Sequence, residues 1–272
     1  MERIARACLV ALALALPARA QSPAEAPPAE PAPEALAQAW FDQLFGGDAF
    51  EIWQTEWSGE SLSYGVARRW QEGRPELFVH IVAPRAYDEL NFLLRERDEQ
   101  RFEILYYRTP KLFPGGSKTA RVMPIAKPGP LERLPFAPGL PVIAELVPAH
   151  SGEYTWSRLP ATRIKTADCR VIEGRPLAAD RGFDRVVLAL ARETGVALDT
   201  KWFQGASLVR HVTTAPADVR DEDGRFLPIR RSVEQPGQEI QDFVSLRLML
   251  DPVFPEQLFT TQNLKTGRFP TY

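Results

Sequence analysis

Residues 89–108, ELNFLLRERDEQRFEILYYR, decide the fold class of this chain. Both halves place an apolar residue at every second position: Leu90, Phe92, Leu94, Phe102, Ile104 and Tyr106. A period of two is the pattern of a β-strand that buries one face, because successive side chains point to opposite sides. The polar RDEQ between the halves is typical of a hairpin. We therefore predict an antiparallel sheet with one buried and one solvent-facing side.

The same alternation continues on both sides of this hairpin. Upstream, PELFVHIV (residues 75–82) places Leu77, Val79 and Ile81 on one face. Downstream, strand patterns recur as far as QDFVSLRLML (residues 241–250), where four apolar residues are expected to share a face: Val244, Leu246, Leu248 and Leu250. No regular alternation of strands with helices appears, and no repeat. The predicted fold class is mainly β with a few helices.

One amphipathic helix precedes the strands. In EALAQAWFDQLF (residues 34–45), apolar residues recur at three- and four-residue steps: Leu36, Ala37, Trp40, Phe41 and Leu44. This spacing places them on one face of a helix, and Gly46-Gly47 is expected to end it. Such an apolar face must dock on a large surface.

The first 20 residues have the layout of a secretory signal peptide. Arg3 and Arg6 precede an apolar run too short to span a bilayer, and Ala18-Arg19-Ala20 offers a small-x-small cleavage pattern. We expect cleavage after Ala20, with a membrane anchor as the alternative. Residues 21–33 contain only Gln, Ser, Pro, Ala and Glu, which predicts a disordered linker before a domain at 34–272. The protein is therefore expected to be exported.

Composition excludes some classes of partner. A net charge of −2 and the lack of a basic run argue against binding to nucleic acid. Cys8 leaves with the signal peptide, so Cys169 cannot form an intramolecular disulfide. Its strand-like neighbours favour a buried side chain, with a reactive thiol as the alternative.

The sequence contains no recognisable catalytic or metal-binding motif. His80, His150 and His211 stand apart from one another and from metal-ligand spacings, and no phosphate-binding glycine loop is present. We therefore predict no catalytic residue, no metal and no cofactor, and hence a protein that is not an enzyme. An exported hydrolase with an unrecognised site is the enzymatic alternative.

The middle of the chain is apolar but irregular. Seven prolines fall between Pro124 and Pro148, which excludes a central strand and a long helix there. The apolar residues among them are Leu131, Leu134, Phe136, Leu140, Val142, Ile143, Leu146 and Val147. A long apolar segment of this kind is typical of a packed flap or binding loop. A plain linker between two domains is the alternative.

Four stretches in this order resemble one family. They are HIVAPRAYDELNFLLRERDEQRFEILYYRTPKL (80–112), TADCRVIEGRPL (166–177), DEDGRFLPIRRSVE (221–234) and FPEQLFTTQNLKTGRF (254–269). With the export signal, they make the chain similar to the outer-membrane lipoprotein-sorting proteins, the LolA-like superfamily that includes RseB-type sensor domains. The resemblance implies a strongly curved antiparallel sheet that forms an incomplete, half-open β-barrel lidded by helices. The segment 124–148 departs from the family's more regular pattern.

The resemblance also implies a function. Lipoprotein-carrying members hold acyl chains in the hollow and carry them across the periplasm, so we expect a periplasmic carrier for lipid or lipoprotein acyl chains. Inner-membrane donor and outer-membrane acceptor proteins are the further expected partners, and the chain is expected to be a monomer. The alternative is an envelope sensor or adaptor that binds a protein partner with the same fold.

The apolar residues of the predicted strands and of the C-terminal tail are the candidates for the hollow. The predicted ligand-binding residues are Leu77, Val79, Ile81, Phe92, Leu94, Ile104, Tyr106, Val186, Leu188, Leu246, Leu248, Phe254 and Phe259. We expect Phe254 and Phe259 at the mouth, beside Trp40 and Phe41. A tail that simply completes a dry core is the alternative.

Overall fold

The computed structural model describes most of the chain after the predicted linker. The described residues are 30–84, 90–98, 101–107, 122–125, 129–136, 139–147, 150–178 and 181–270. The predicted signal peptide (residues 1–20) and linker residues 21–29 lie outside the described residues.

Strands dominate the described residues. The helices are α1 (Pro33–Phe45), α2 (Ile143–Leu146) and α3 (Thr261–Thr266). The strands are β1 (Ala49–Trp57), β2 (Glu60–Gln71), β3 (Arg74–Ala83), β4 (Asn91–Asp98), β5 (Arg101–Tyr107), β6 (Met123–Pro124), β7 (Tyr154–Ile164), β8 (Ala167–Pro176), β9 (Arg185–Ala191), β10 (Ala197–Gln204), β11 (Ser207–Thr213), β12 (Val219–Glu222), β13 (Arg225–Pro228), β14 (Arg230–Glu234) and β15 (Gln241–Leu250). The mainly β prediction is confirmed.

Thirteen of these strands form one antiparallel sheet. Their order is β6-β5-β4-β3-β2-β1-β15-β14-β11-β10-β9-β8-β7, and β12 pairs with β13 in a separate hairpin. The predicted hairpin at 89–108 is present as β4 and β5, with Leu94 opposite Ile104. The last long strand, β15, returns to pair with β1, so the two ends of the chain meet in the middle of the sheet.

The sheet curls strongly. Strands lie about 4.8 Å apart, so the ten spacings from β4 to β7 would cover about 48 Å in a flat sheet. Yet Nε2 of His150, four residues before β7, lies 3.3 Å from Oε1 of Glu96 on β4. Among the described residues, however, the edge strand β6 pairs only with β5 and the edge strand β7 only with β8. The sheet is therefore an incomplete, half-open barrel, as predicted.

Helix α1 lies against the inner face of this sheet. It begins at Pro33, one residue before the predicted start, and its last turn is closed by the Gly46 amide, which donates to the Asp42 carbonyl at 2.7 Å. Proline is favoured at the first helical position because its missing N–H has no partner there anyway. Its predicted apolar face packs on strands β7 to β10 around Trp156 and Trp202.

The inner face carries two adjoining apolar clusters. One lies over β1 to β5 and includes Leu77, Phe92 and Ile104, and the other lies under α1. Val212 on β11 packs against both, so they form one continuous surface.

The outer face of β1 to β4 is also buried, so the prediction of a solvent-facing side is wrong for these strands. Residues 254–269 cover this face and pack on Phe50, Phe78 and Leu93. Phe269 stacks on the Phe78 ring at a centroid distance of 6.1 Å. The tail thus completes a second apolar core on the outside of the sheet.

A bulge in β15 changes which residues face inward. Trp53 on β1 is opposite Ser245, whereas the preceding Ile52 is opposite Arg247, so Leu246 has no partner in the ladder. An extra residue in one strand reverses the alternation beyond it. Phe243 and Leu248 therefore both face inward although they differ by an odd number of positions. The prediction that residues 244, 246, 248 and 250 share one face is wrong.

We predict that Gly65→Ala destabilises the fold through the outer core. A Cβ added at Gly65 would lie 2.1 Å from Cε1 of Phe269, so the ring must move off the sheet. Chemical denaturation should show a loss of about 1–3 kcal/mol in the free energy of unfolding. The control is Gly152→Ala, where an added Cβ meets no atom within 4 Å. Equal stability of the two variants would contradict this packing.

Candidate ligand-binding site

An irregular segment covers the inner face of β1 to β5. We call residues 129–136 and 139–147 the cover segment. Its side chains Leu134, Leu140, Leu146 and Val147 are buried against the strand residues of the inner face. The proline-rich stretch is therefore a packed flap, one of the two structures predicted for it.

The cover segment forms its backbone hydrogen bonds within itself. The Ile143 amide donates to the Glu132 carbonyl at 2.9 Å, and the Ala144 amide donates to the Pro130 carbonyl at 2.8 Å. In the described part of the chain, no backbone hydrogen bond joins the cover segment to a strand of the sheet. Its contact with the sheet therefore consists of apolar packing and a few side-chain bonds.

Those side-chain bonds are well defined. Nε2 of Gln241 donates to the Gly139 carbonyl at 2.8 Å. The Arg133 guanidinium lies over the Trp57 ring, 4.8 Å from its centroid. On α2, Glu145 accepts two hydrogen bonds from Arg210 of β11, at 2.7 and 2.9 Å.

The Arg210–Glu145 pair is almost completely removed from water. The two side chains are 1% and 6% exposed. Burial alone would raise the pKa of Glu145, but the charge and hydrogen bonds of Arg210 outweigh it and hold the pKa below its ordinary value. The carboxylate is therefore ionised at neutral pH and fixes α2 on the sheet.

A small cavity remains beside the cover segment. It has a volume of about 60 Å³. Its apolar walls come from α1, the inner face, the cover segment and β13: Leu44, Phe45, Trp53, Val66, Leu146, Leu227 and Leu248. Its polar lining is formed by Glu51, Tyr64, Arg68, Glu145 and Arg231, with Ser245.

Within the part of the chain that the structure describes, three donors at this cavity lack normal acceptors: the Tyr64 hydroxyl, Nε of Arg68 and Nε of Arg231. The Tyr64 hydroxyl is fully buried, and neither it nor Nε of Arg231 has a hydrogen-bond partner of normal geometry among the described residues. Burial raises the pKa of Tyr64 far above its usual value, against the opposing charge of nearby Arg231. The hydroxyl therefore keeps its proton and can act as a donor.

A second arginine at the cavity, Arg68, holds neighbouring elements together through its Nη2. Nη2 of Arg68 donates to the Leu44 carbonyl at the end of α1 at 3.1 Å and lies 3.2 Å from Oε1 of Glu51. Nε1 of Trp53 donates to the other oxygen of Glu51 at 2.6 Å. Arg68 thus joins α1 to β1 and β2.

Most of the predicted ligand-binding residues share the inner face. Those around the cover segment are Leu77, Val79, Ile81, Phe92, Leu94, Ile104 and Tyr106. Val186 and Leu188 lie under α1, and Leu248 lines the cavity. The structure places Leu246, Phe254 and Phe259 elsewhere.

Three predicted positions need correction. Leu246 is the bulged residue of β15, and 55% of its surface is exposed. Phe254 and Phe259 belong to the outer core, where the Phe259 ring lies under Arg69 at 4.4 Å. They do not flank Trp40 and Phe41, because the chain crosses to the outer face after β15.

The sequence analysis missed the polar residues of the site. Arg210 lies two positions before Val212 on β11, so both side chains point to the inner face. Glu145 interrupts an apolar run in the cover segment. A charged residue at a position where the pattern predicts an apolar one could have indicated a buried ion pair, since such a residue is rarely buried without a partner. The sequence alone does not show that these two charged residues pair with each other.

Comparisons with known proteins bear on the fold. No protein-family model matches the chain, and no curated protein matches it. Solved structures do match. A domain from Vibrio parahaemolyticus, described as outer membrane lipoprotein-sorting, gives a TM-score of 0.72 at 15% identity, over 85% of this chain and 97% of that one.

Two further structures agree. A DUF1329 family protein from Desulfovibrio piger gives a TM-score of 0.69 at 15% identity, over 85% of this chain and 97% of that one. A LolA superfamily protein from Nitrosomonas europaea gives a TM-score of 0.62 at 14% identity, over 85% of this chain and 98% of that one. The chain has the LolA-like fold. The resemblance predicted from sequence is confirmed at the level of the fold.

The described residues bear on two other classes of site. None of their helices combines the length and the apolar character needed to cross a membrane. Within the same residues, no group of three or more His, Cys, Asp or Glu side chains is arranged to hold a metal ion. Cys169 is buried, as predicted, and burial raises the pKa of its thiol.

We predict that Glu145→Gln is strongly destabilising. It leaves the buried Arg210 without its counter-charge, which should lower the free energy of unfolding at neutral pH by about 3–5 kcal/mol. Because the pKa of Glu145 is lower folded than unfolded, its stabilising effect is present above the unfolded pKa, about 4.3. It is lost as the pH falls through the folded pKa, so the two proteins should converge in acid.

The control for this prediction removes a carboxylate from an exposed pair. Asp242→Asn breaks the contact with Arg230, which is 53% exposed, and a surface pair of this kind contributes little. Urea denaturation across a pH series measures both variants. A Glu145→Gln protein as stable as Asp242→Asn would show that the buried pair does not fix the cover segment.

Proposed function

We propose that the protein is a periplasmic carrier that binds a lipid or lipoprotein acyl group non-covalently on the inner face and passes it on. Its role would lie in outer-membrane lipoprotein sorting or lipid transport. The observation that carries the proposal is the cover segment: an apolar sheet surface is closed by a segment with no backbone hydrogen bond to it among the described residues.

An acyl chain and the cover segment can replace one another on this surface. The cavity of about 60 Å³ is well below the roughly 300–1,000 Å³ of typical ligand pockets, so an acyl chain needs the place of cover-segment side chains. Leu134 and Leu140 occupy that place, while α2 stays fixed by the Arg210–Glu145 pair. Each buried methylene of a ligand contributes about 0.8 kcal/mol, so a long chain can outweigh these two side chains.

Such an exchange suits a carrier. When the ligand leaves, the cover segment returns and keeps the inner face out of water. The protein without ligand therefore does not expose an apolar patch that would promote aggregation. Release to an acceptor then requires no covalent step. This agrees with the absence of a recognisable catalytic motif in the sequence.

Two other observations support the location and the role. The first 20 residues have the pattern of a signal peptide. The structure from Vibrio parahaemolyticus with the same fold is described as lipoprotein-sorting. Inner-membrane donor and outer-membrane acceptor proteins remain the partners that this role would need.

The proposal is tested on protein purified from periplasm. Native mass spectrometry should detect a bound lipid or acyl molecule, and the delipidated protein should take up a fluorescent fatty-acyl probe. Ligand-free protein that takes up no probe would contradict the carrier function. A stoichiometric protein partner without acyl uptake would instead support the sensor or adaptor alternative.

We predict that Leu140→Ala raises the affinity for the fatty-acyl probe several-fold. The substitution weakens the cover segment, which competes with the probe, while leaving the strand surface intact. It should also lower the free energy of unfolding by about 2–5 kcal/mol, as for other buried leucines.

A matched control separates competition from general destabilisation. Leu264→Ala removes a side chain that is equally buried, at 0% exposure, but lies in the outer core. It should cost similar stability and leave probe affinity unchanged. Equal changes in probe affinity in the two variants, measured by fluorescence titration of folded protein, would argue against competition by the cover segment.

A further inference from the structure

Two arginines and two glutamates line the cavity beside the cover segment, and a third arginine, Arg210, adjoins it through its contact with Glu145. Arg68 is paired with Glu51, and Arg210 is paired with Glu145. Arg231 has no such salt bridge: within the described residues no carboxylate lies within salt-bridge distance of it. The nearby carboxylate of Glu145 is already bonded to Arg210, so the charge of the partly buried Arg231 is only partly compensated, which points to a missing anion.

Arg231 is held in place by aromatic rings. Its guanidinium lies over the Trp53 ring at 4.5 Å and near the Phe243 ring at 5.9 Å, measured to the centroids. Trp53 also lines the cavity. Two rings therefore orient the guanidinium without using its N–H groups, and its Nε–H is left without an acceptor.

The groups without partners at this cavity are donors. The Tyr64 hydroxyl is fully buried, and both it and Nε–H of Arg231 lack a normal acceptor among the described residues, as does Nε–H of Arg68. Buried donors in folded proteins nearly always have an acceptor, so those of Tyr64 and Arg231 indicate a group that accepts hydrogen bonds from both. The ligand atom facing them is therefore an oxygen acceptor.

The volume of the cavity and the polarity of its walls determine the size and polarity of the group that can bind there. A volume of about 60 Å³ accommodates a carboxylate and the carbon next to it, or a few water molecules. Val66, Leu146 and Leu248 form apolar walls beside the two donors. Tyr64, Val66 and Leu146 also belong to the inner-face cluster, so a group in the cavity can continue as a chain along that face.

We propose that this cavity is a head-group subsite for a single carboxylate, held by Arg231 and Tyr64, and that the preferred ligand is a long-chain fatty acid anion. The inference rests on the proposed function, since the chain of that ligand lies on the inner face. An ester carbonyl accepts hydrogen bonds but leaves the charge of Arg231 without compensation. A phosphate dianion carries more charge than the one unpaired arginine can balance.

The test compares three probes by isothermal titration calorimetry on the delipidated protein. Dodecanoate carries both chain and charge, methyl dodecanoate carries the same chain without charge, and acetate carries the charge without the chain. A charge-assisted hydrogen bond in a buried site predicts that dodecanoate binds at least about 10-fold more tightly than its methyl ester.

Substitutions at the cavity test whether it causes the preference for dodecanoate over methyl dodecanoate. Arg231→Gln should abolish the preference for dodecanoate over methyl dodecanoate, because it removes the charge and keeps an N–H donor. The control is Arg230→Gln on the same strand, because Arg230 is exposed and bonded to Asp242 rather than to the cavity. Tyr64→Phe should reduce the preference by a smaller factor, because it removes one neutral donor and keeps the charge of Arg231.

The outcomes separate this inference from the carrier function. Equal affinity of wild-type protein for dodecanoate and methyl dodecanoate overturns the carboxylate subsite and leaves the carrier intact. No binding of either contradicts the carrier function, and acetate binding in that case still supports an anion subsite. If Arg231→Gln does not fold, Tyr64→Phe decides, and an undiminished preference in that variant overturns the proposal.

Discussion

The inner face of a thirteen-stranded curled sheet is apolar and cannot remain open to water, and the rest of the structure follows from the need to cover it. Closing the barrel would remove the opening, but the edge strands β6 and β7 do not pair with each other in the described residues. The chain covers the face with two different segments instead. Helix α1 packs over one half, and the irregular cover segment packs over the other.

Both covers are attached to the sheet by apolar packing and side-chain bonds. The end of α1 is bonded through backbone carbonyls, to Arg68 at Leu44 and to Nε1 of Trp70 at Phe45. The cover segment relies on the Arg210–Glu145 pair, the Gln241 bond and apolar side chains. Apolar packing is non-directional, so a ligand of the same polarity can replace it. The Arg210–Glu145 pair fixes α2, so we expect an acyl ligand on the inner face beneath Leu134 and Leu140.

Much of this fold could be predicted from local pattern, and the exceptions have physical causes. Alternation at Leu77, Val79 and Ile81 gave the strands and the inner face correctly. The outer core was signalled by Phe78 and Leu93, which turn an alternating pattern into a continuous apolar run, typical of a strand buried on both faces. The bulge at Leu246 depends on pairing with β1, and the charges at Arg210 and Glu145 meet only through the tertiary fold, so single-sequence periodicity contains neither.

The central claim is that the cover segment and an acyl ligand compete for the same surface. Double electron–electron resonance tests it with spin labels on cysteines introduced at Glu132 in the cover segment and Gln71 at the end of β2. Both positions are exposed, and the native Cys169 is buried. Saturation with dodecanoate should move the distance distribution to larger values. An unchanged distribution in a sample shown to contain bound dodecanoate would contradict the account.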